Sequence, residues 1–76
     1  KDLNMKLAPG IYKHYKGNLY EVIGVAQHSE TEEMMAVYKT LYGDFGLWVR
    51  PLTMFMETLE VEGKTVARFE FIEATA

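Results

Sequence analysis

The sequence predicts an all-β domain: a small antiparallel barrel, closed or half-closed, of five or six short strands. Three observations carry this. Residues 10–22 set three tyrosines, a histidine and two lysines around Gly17-Asn18, a pair that turns a hairpin between two apolar-aromatic runs. Further glycines, Gly43, Gly46 and Gly63, punctuate short apolar segments, as turns between strands require. The chain has 76 residues, 49% of them apolar, which is enough for one core and leaves no room for a second.

Residues 1–8 read as a flexible lead-in, 9–73 as the domain and 74–76 as a tail. Pro9-Gly10 is a turn signal that opens a first strand from Ile11 to Tyr15. Leu19 to His28 reads as a long second strand with apolar residues on both parities. Leu19, Ile23 and Val25 share one face; Tyr20, Val22 and Ala26 share the other. That pattern belongs to a strand that is strongly curved or covered on both sides. Gly24 inside it marks a bulge or sharp bend.

Residues 30–42 fit two patterns. Ser29-Glu30-Thr31-Glu32 matches a capping box, and Met34, Met35, Tyr38, Leu41 and Tyr42 then form a helical stripe stopped by Gly43. Alternation instead gives a strand with Met34, Ala36, Tyr38, Thr40 and Tyr42 on one face. The strand is favoured because the long apolar segment before it needs an antiparallel neighbour, and the adjacent segment ordinarily supplies one.

Leu47 to Arg50 makes a short strand ended by Pro51, which lacks a ladder donor. Leu52 to Met56 reads as a tight turn or 3₁₀ segment that feeds Phe55 into the core. Thr58 to Glu62 alternates with Leu59 and Val61 inward, and Gly63 supplies the next turn. Thr65 to Ile72 closes the sheet with Phe69 and Phe71 inward and Arg68 and Glu70 outward. Val66 has the opposite parity to Phe69, so a bulge is expected near Ala67.

Two strings carry a family resemblance. One is Gly10-Ile11-Tyr12-Lys13-His14-Tyr15-Lys16-Gly17-Asn18-Leu19-Tyr20-Glu21-Val22, continuing to Thr31. The other is Tyr38-Lys39-Thr40-Leu41-Tyr42-Gly43, followed by Leu47-Trp48-Val49-Arg50-Pro51-Leu52-Thr53-Met54-Phe55. Together they resemble a small bacterial family catalogued as domain of unknown function 1653, over about residues 9–72. The resemblance implies a compact, mostly β, SH3-like domain and favours the strand reading of 33–42. It implies no activity, cofactor or catalytic residue. Ala67 departs from the proline expected before Arg68-Phe69.

Charge is uneven beneath a net −3: residues 1–28 balance to +2 and residues 29–76 to −5. The basic opening hairpin is weak support for a polyanion partner. There is no cysteine, which removes disulfides and thiolate zinc sites and fits a cytoplasmic protein. No apolar run reaches the roughly 20 residues of a membrane span.

Catalytic constellations are absent. Ser29 is the only serine and directly follows His28. Neighbours in an extended chain face opposite ways, so the histidine is badly placed as its base. His14, His28, Glu30, Glu32 and Glu33 show no metal-ligand spacing. The glutamates at 30, 32, 33, 57, 60 and 62 fall at outward or loop positions, where a carboxyl keeps its ordinary acidity. No phosphate-cradling glycine pattern is present. We therefore expect no cofactor, no metal and no enzyme.

The aromatic set remains. Tyr12, His14, Tyr15, Trp48 and Arg50 are the expected ligand-binding face of a non-enzymatic interaction module, a monomer or weak dimer that takes a peptide or protein. A stacking aromatic with an arginine beside it suits an extended ligand bearing an anionic group. One alternative is nucleic acid, held by Lys13, Lys16, Arg50 and stacking tyrosines. Another is a small enzyme or accessory domain using His28 and a nearby glutamate.

Overall fold

A computed structural model describes residues 7–75. Of the expected lead-in, residues 1–6 lie outside the described residues, as does Ala76 of the tail. Seven strands and one helical turn follow in order: β1 Gly10–His14, β2 Leu19–Gln27, β3 Met34–Thr40, β4 Leu47–Pro51, α1 Leu52–Phe55, β5 Thr58–Val61, β6 Lys64–Ala67 and β7 Phe69–Ala74. The all-β class is as expected, with every pairing antiparallel.

The strands do not close a barrel. They form a five-stranded sheet, ordered β4-β3-β2-β1-β7, beside a separate β5–β6 hairpin. The break comes at Arg68. The single closing strand expected over 65–72 divides there, so that β6 pairs with β5 and β7 pairs with β1. Arg68 is a joint between the pieces. Its backbone N–H donates to the Glu57 carbonyl, its carbonyl accepts from the Tyr15 N–H, and its guanidinium meets the Glu57 carboxylate at 3.0 Å. Arg68, expected outward, is thus tied into the structure.

The expected bend in β2 is a register shift between Val22 and Gly24 in the pairing with β3. One extra residue reverses the parity of all that follows. Tyr20 and Val22 face the core before the shift and Val25 faces it after, while Ala26 is exposed. Both parities of β2 are apolar because the strand changes phase partway along.

Residues 34–40 are strand, with Ala36, Tyr38 and Thr40 buried on one face. The capping-box residues form the hairpin loop instead. His28 N–H donates to the Glu33 carbonyl and Glu32 N–H to the His28 carbonyl, with Glu32 in a left-handed conformation. The helical stripe is not used because β2 offers a full ladder to pair with.

The core is aromatic. Tyr12, Val22, Ala36, Tyr38, Leu52, Phe55 and Phe69 are buried together. Phe55 and Phe69 stack with centroids 4.0 Å apart, and Tyr12 meets Phe55 edge-on at 5.5 Å. Phe55 comes from α1, a single α-helical turn where a tight turn or 3₁₀ segment was expected. Two inward assignments are corrected: Phe71 and Val61 are exposed. Phe71 lies on the edge strand, where its ring meets Tyr12 edge-on at 5.4 Å and lies over Gly10. Val61 stands on the two-stranded hairpin, where it lines the open cleft toward β1 and β7.

Candidate functional site

The register decides which aromatics meet. Tyr12 pairs with Tyr20, Tyr20 with Thr40, and Tyr38 with Trp48. Cross-strand partners share a face, so one face of the sheet collects Tyr12, His14, Tyr20, Tyr38, Trp48 and Arg50. Lys13 and Lys39 point to the other. Of the predicted ligand face, Tyr12, His14, Trp48 and Arg50 therefore share one side of the sheet, while Tyr15 lies just beyond the end of β1, and the members do different things. Tyr12 is a core residue, 6% exposed, with its hydroxyl donating to the Ala8 carbonyl at 2.8 Å. Its ring spends its area on packing and is not a ligand platform.

His14 and Tyr15 line one cleft and Trp48 and Arg50 line another. The first, about 540 Å³, lies where β1 and β7 meet the β5–β6 hairpin, with Lys13, Val61, Val66 and Glu70 on its walls. Lys13 and Glu70 stand opposite each other in the ladder. His14 is wedged between Tyr15 at 4.7 Å and Phe69 at 4.8 Å. Its Nδ1 accepts the Lys16 N–H. Burial, with Arg50, Arg68 and Lys16 nearby, lowers its pKa below the ordinary histidine value.

The second cleft, about 420 Å³, is the better candidate site although it is the smaller. Tyr20 and Tyr38 form its floor, Tyr42 and the 43–46 loop one wall, and Trp48 and Arg50 the other. Trp48 is 59% exposed. The Arg50 guanidinium lies 5.5 Å from the Phe69 ring centroid, a cation–π contact. The ion pairs found among the described residues are His28–Glu30 and Arg68–Glu57, so Arg50 has no carboxylate partner there. The larger cleft sets Lys13 and Glu70 beside His14, Tyr15, Val61 and Val66; this one has phenol hydroxyls, an exposed indole, the Asp44 carboxylate on its loop wall and, in Arg50, a cation outside ion-pair distance of any described carboxylate. Phe69 joins the two, with both His14 and Arg50 against its ring.

Tyr20 and Tyr42 belong to the chain's aromatic set but are not among the five residues that the sequence puts on the ligand face. Their hydroxyls lie 3.0 Å apart, and burial followed by that bond pushes the Tyr20 pKa up to about 12. The signal in the chain was the even spacing of Tyr38, Thr40 and Tyr42, but only the β2–β3 register brings Tyr20 beside them.

The basic residues of the nucleic-acid alternative are separated. Lys13 faces away from Arg50, and Lys16 lies in the Gly17 turn, 5.8 Å from the Tyr15 ring. His28 of the enzyme alternative has its Nδ1 occupied by the Glu30 and Thr31 backbone N–H groups, which makes it a fastener of the 28–33 loop. Among the described residues no cluster of metal-ligating side chains occurs, and no helix is long and apolar enough to cross a membrane.

Comparison with known proteins gives a family and a fold. The family model described as "Protein of unknown function (DUF1653)" matches residues 10–71. A crystal structure of a protein from Bordetella bronchiseptica, described as belonging to DUF1653, is 33% identical. It has a TM-score of 0.82 and the match covers 92% of both chains. No curated protein matches. With the matched region running from β1 through most of β7, and with a solved relative of the same fold, the chain belongs to the DUF1653 family.

Proposed function

We propose that the protein is a non-enzymatic interaction module that binds a short peptide segment of a partner protein in the cleft between Tyr42 and Trp48. An acidic side chain or C-terminal carboxylate of the peptide pairs with Arg50, and an adjacent proline or apolar side chain lies on the Trp48 indole.

The observation that carries this reading is Arg50 itself. A half-buried guanidinium without a carboxylate, held over Phe69 at the wall of a phenol-lined cleft, presents a planar donor fork to whatever enters. Partial burial lowers the local dielectric and strengthens a pair formed there. The tyrosine and tryptophan rings give contact area while losing little side-chain entropy on binding. Cytoplasmic placement is part of the proposal and rests on the cysteine-free sequence.

The test is an amide-shift titration of the labelled protein with pooled acidic, proline-containing and neutral peptides, and with single-stranded oligonucleotides. Shifts at Tyr42, Trp48 and Arg50 with acidic peptides are the expected result. Shifts at Lys13 and Lys16 with oligonucleotides only, weakened steeply by salt, would favour nucleic acid and overturn the peptide reading.

A further inference from the structure

We propose that β4 is a dimerisation edge, along which two copies of this chain join their sheets antiparallel across a two-fold axis at Val49.

The open sheet has two edges, β4 and β7, and they differ in kind. β7 carries Glu70 and Glu73 and its pairing contains a register shift. Charges and bulges on an edge discourage pairing with another chain. β4 has no register shift; its one charge, Arg50, is turned over the Phe69 ring, and its Pro51 withholds one outward donor. Leu47, Trp48 and Val49 are 66%, 59% and 56% exposed, three consecutive apolar residues open on both faces of one edge strand.

The hydrogen-bond phase of β4 fits such a partner. Thr40 N–H donates to the Gly46 carbonyl at 3.0 Å, and Tyr38↔Trp48 and Ala36↔Arg50 continue the same register. Alternation along an antiparallel ladder then turns the backbone groups of Gly46, Trp48 and Arg50 toward β3. Those of Leu47, Val49 and Pro51 turn outward. Pro51 lacks an N–H, and it falls at a position where the intramolecular ladder does not need one.

A second copy is the occupant this edge matches, because the strand is complementary to itself about Val49. In that register Val49 and its symmetry mate exchange N–H···O=C bonds. Each Leu47 N–H donates to the Pro51 carbonyl of the other copy. Trp48 of each copy stands directly opposite Arg50 of the other, an aromatic–cation pair formed twice, so that the dimer and the peptide-bound chain are alternative states of these two side chains. Val49 meets Val49, and Leu47 meets Pro51, on the opposite face. A shift by two residues in either direction loses the symmetric Trp48–Arg50 pairing. The interface is isologous and closes at two chains.

The experiment is molar mass by light scattering from micromolar to millimolar protein, with single-cysteine cross-linking. The native chain has no cysteine, so one introduced thiol reports alone. Mass rising to twice that of the chain is expected, with Val49→Lys held at the monomer mass by like charges facing across the axis. Hydrogen-bonded antiparallel partners have Cα atoms about 5.5 Å apart, within disulfide range. Val49→Cys should therefore oxidise to a covalent dimer about tenfold or more faster than Leu19→Cys, whose interior-strand thiols meet only by diffusion. Monomer mass throughout the range, or equal cross-linking of the two cysteine variants, overturns the proposal. The cysteine comparison keeps the test decisive if Val49→Lys fails to fold.

Discussion

Tyr20 on β2 and Tyr42 beyond the end of β3 bring their hydroxyls to 3.0 Å across the floor of the cleft, their rings edge-to-face at 5.6 Å. The pair links a half-buried side chain to an exposed one. It makes the wall of the candidate site sensitive to the charge state of a phenol.

Alkaline titration tests this link. Tyr20 is expected to ionise near pH 12 while ordinary tyrosines titrate near 10. Because the folded-state value is raised, its contribution to stability is complete below pH 10 and is lost as pH rises through about 12. Phenolate absorbance in wild type and Tyr42→Phe is the measurement. Removing the partner should move the late-titrating component toward the ordinary value without abolishing it, since burial is the larger cause. A late-titrating component that stays at the same pH in Tyr42→Phe would show the hydroxyls to be unlinked.

His14 sets a limit on the acid side. Its pKa is lowered, first by burial and then by Arg50, Arg68 and Lys16. A histidine that resists protonation when folded contributes fully above the unfolded value near 6.5, and its contribution falls as pH drops below that. Urea midpoints should therefore decline between pH 7 and 5, and His14→Gln should flatten the decline. A decline of equal slope in that variant would assign it to other groups.

The Phe55–Phe69 stack is the test of the core. Phe55 is 1% exposed and lies parallel to Phe69. Phe55→Ala is expected to cost about 3–5 kcal/mol, much of the stability of so small a domain. Trp48→Ala, by contrast, should change stability by only about 0.5 kcal/mol, as for an exposed surface site, while abolishing peptide-induced shifts. Equal losses from the two would place Trp48 in the core and remove it from the binding face.

Gly10 marks a close approach. A Cβ there would lie 2.5 Å from the Glu73 carbonyl oxygen and 3.2 Å from the Ala74 Cα, both backbone atoms of β7. Gly10→Ala should cost about 1–3 kcal/mol through overpacking and loosen β7 from β1. Amide exchange is the measurement, and faster exchange confined to β7 is expected. Unchanged protection would mean that the two strands part without penalty.

Much of the local structure was legible in the chain. The turn at Gly17-Asn18, the tight turn delivering Phe55 and the irregularity near Gly24 follow from rules acting over a few residues: turn chemistry, alternation and the missing donor of Pro51. The strand over 34–40 was not decided locally, since the same residues fit a capped helix and only the need of β2 for an antiparallel neighbour favoured the strand. Trp48 and Arg50 were legible as an aromatic near a cation, but that the indole is exposed was decided only by the open sheet. Tertiary structure alone decided that the sheet stays open, because the division of the last strand at Arg68 depends on its bonds to Glu57 and Tyr15, residues distant in sequence. It placed Tyr12 in the core and brought Tyr20 to Tyr42, since the face a side chain shares is set by register, and a one-residue bulge reverses it. Alternation within a strand is a local property; the partner across the ladder, which builds the site, is not.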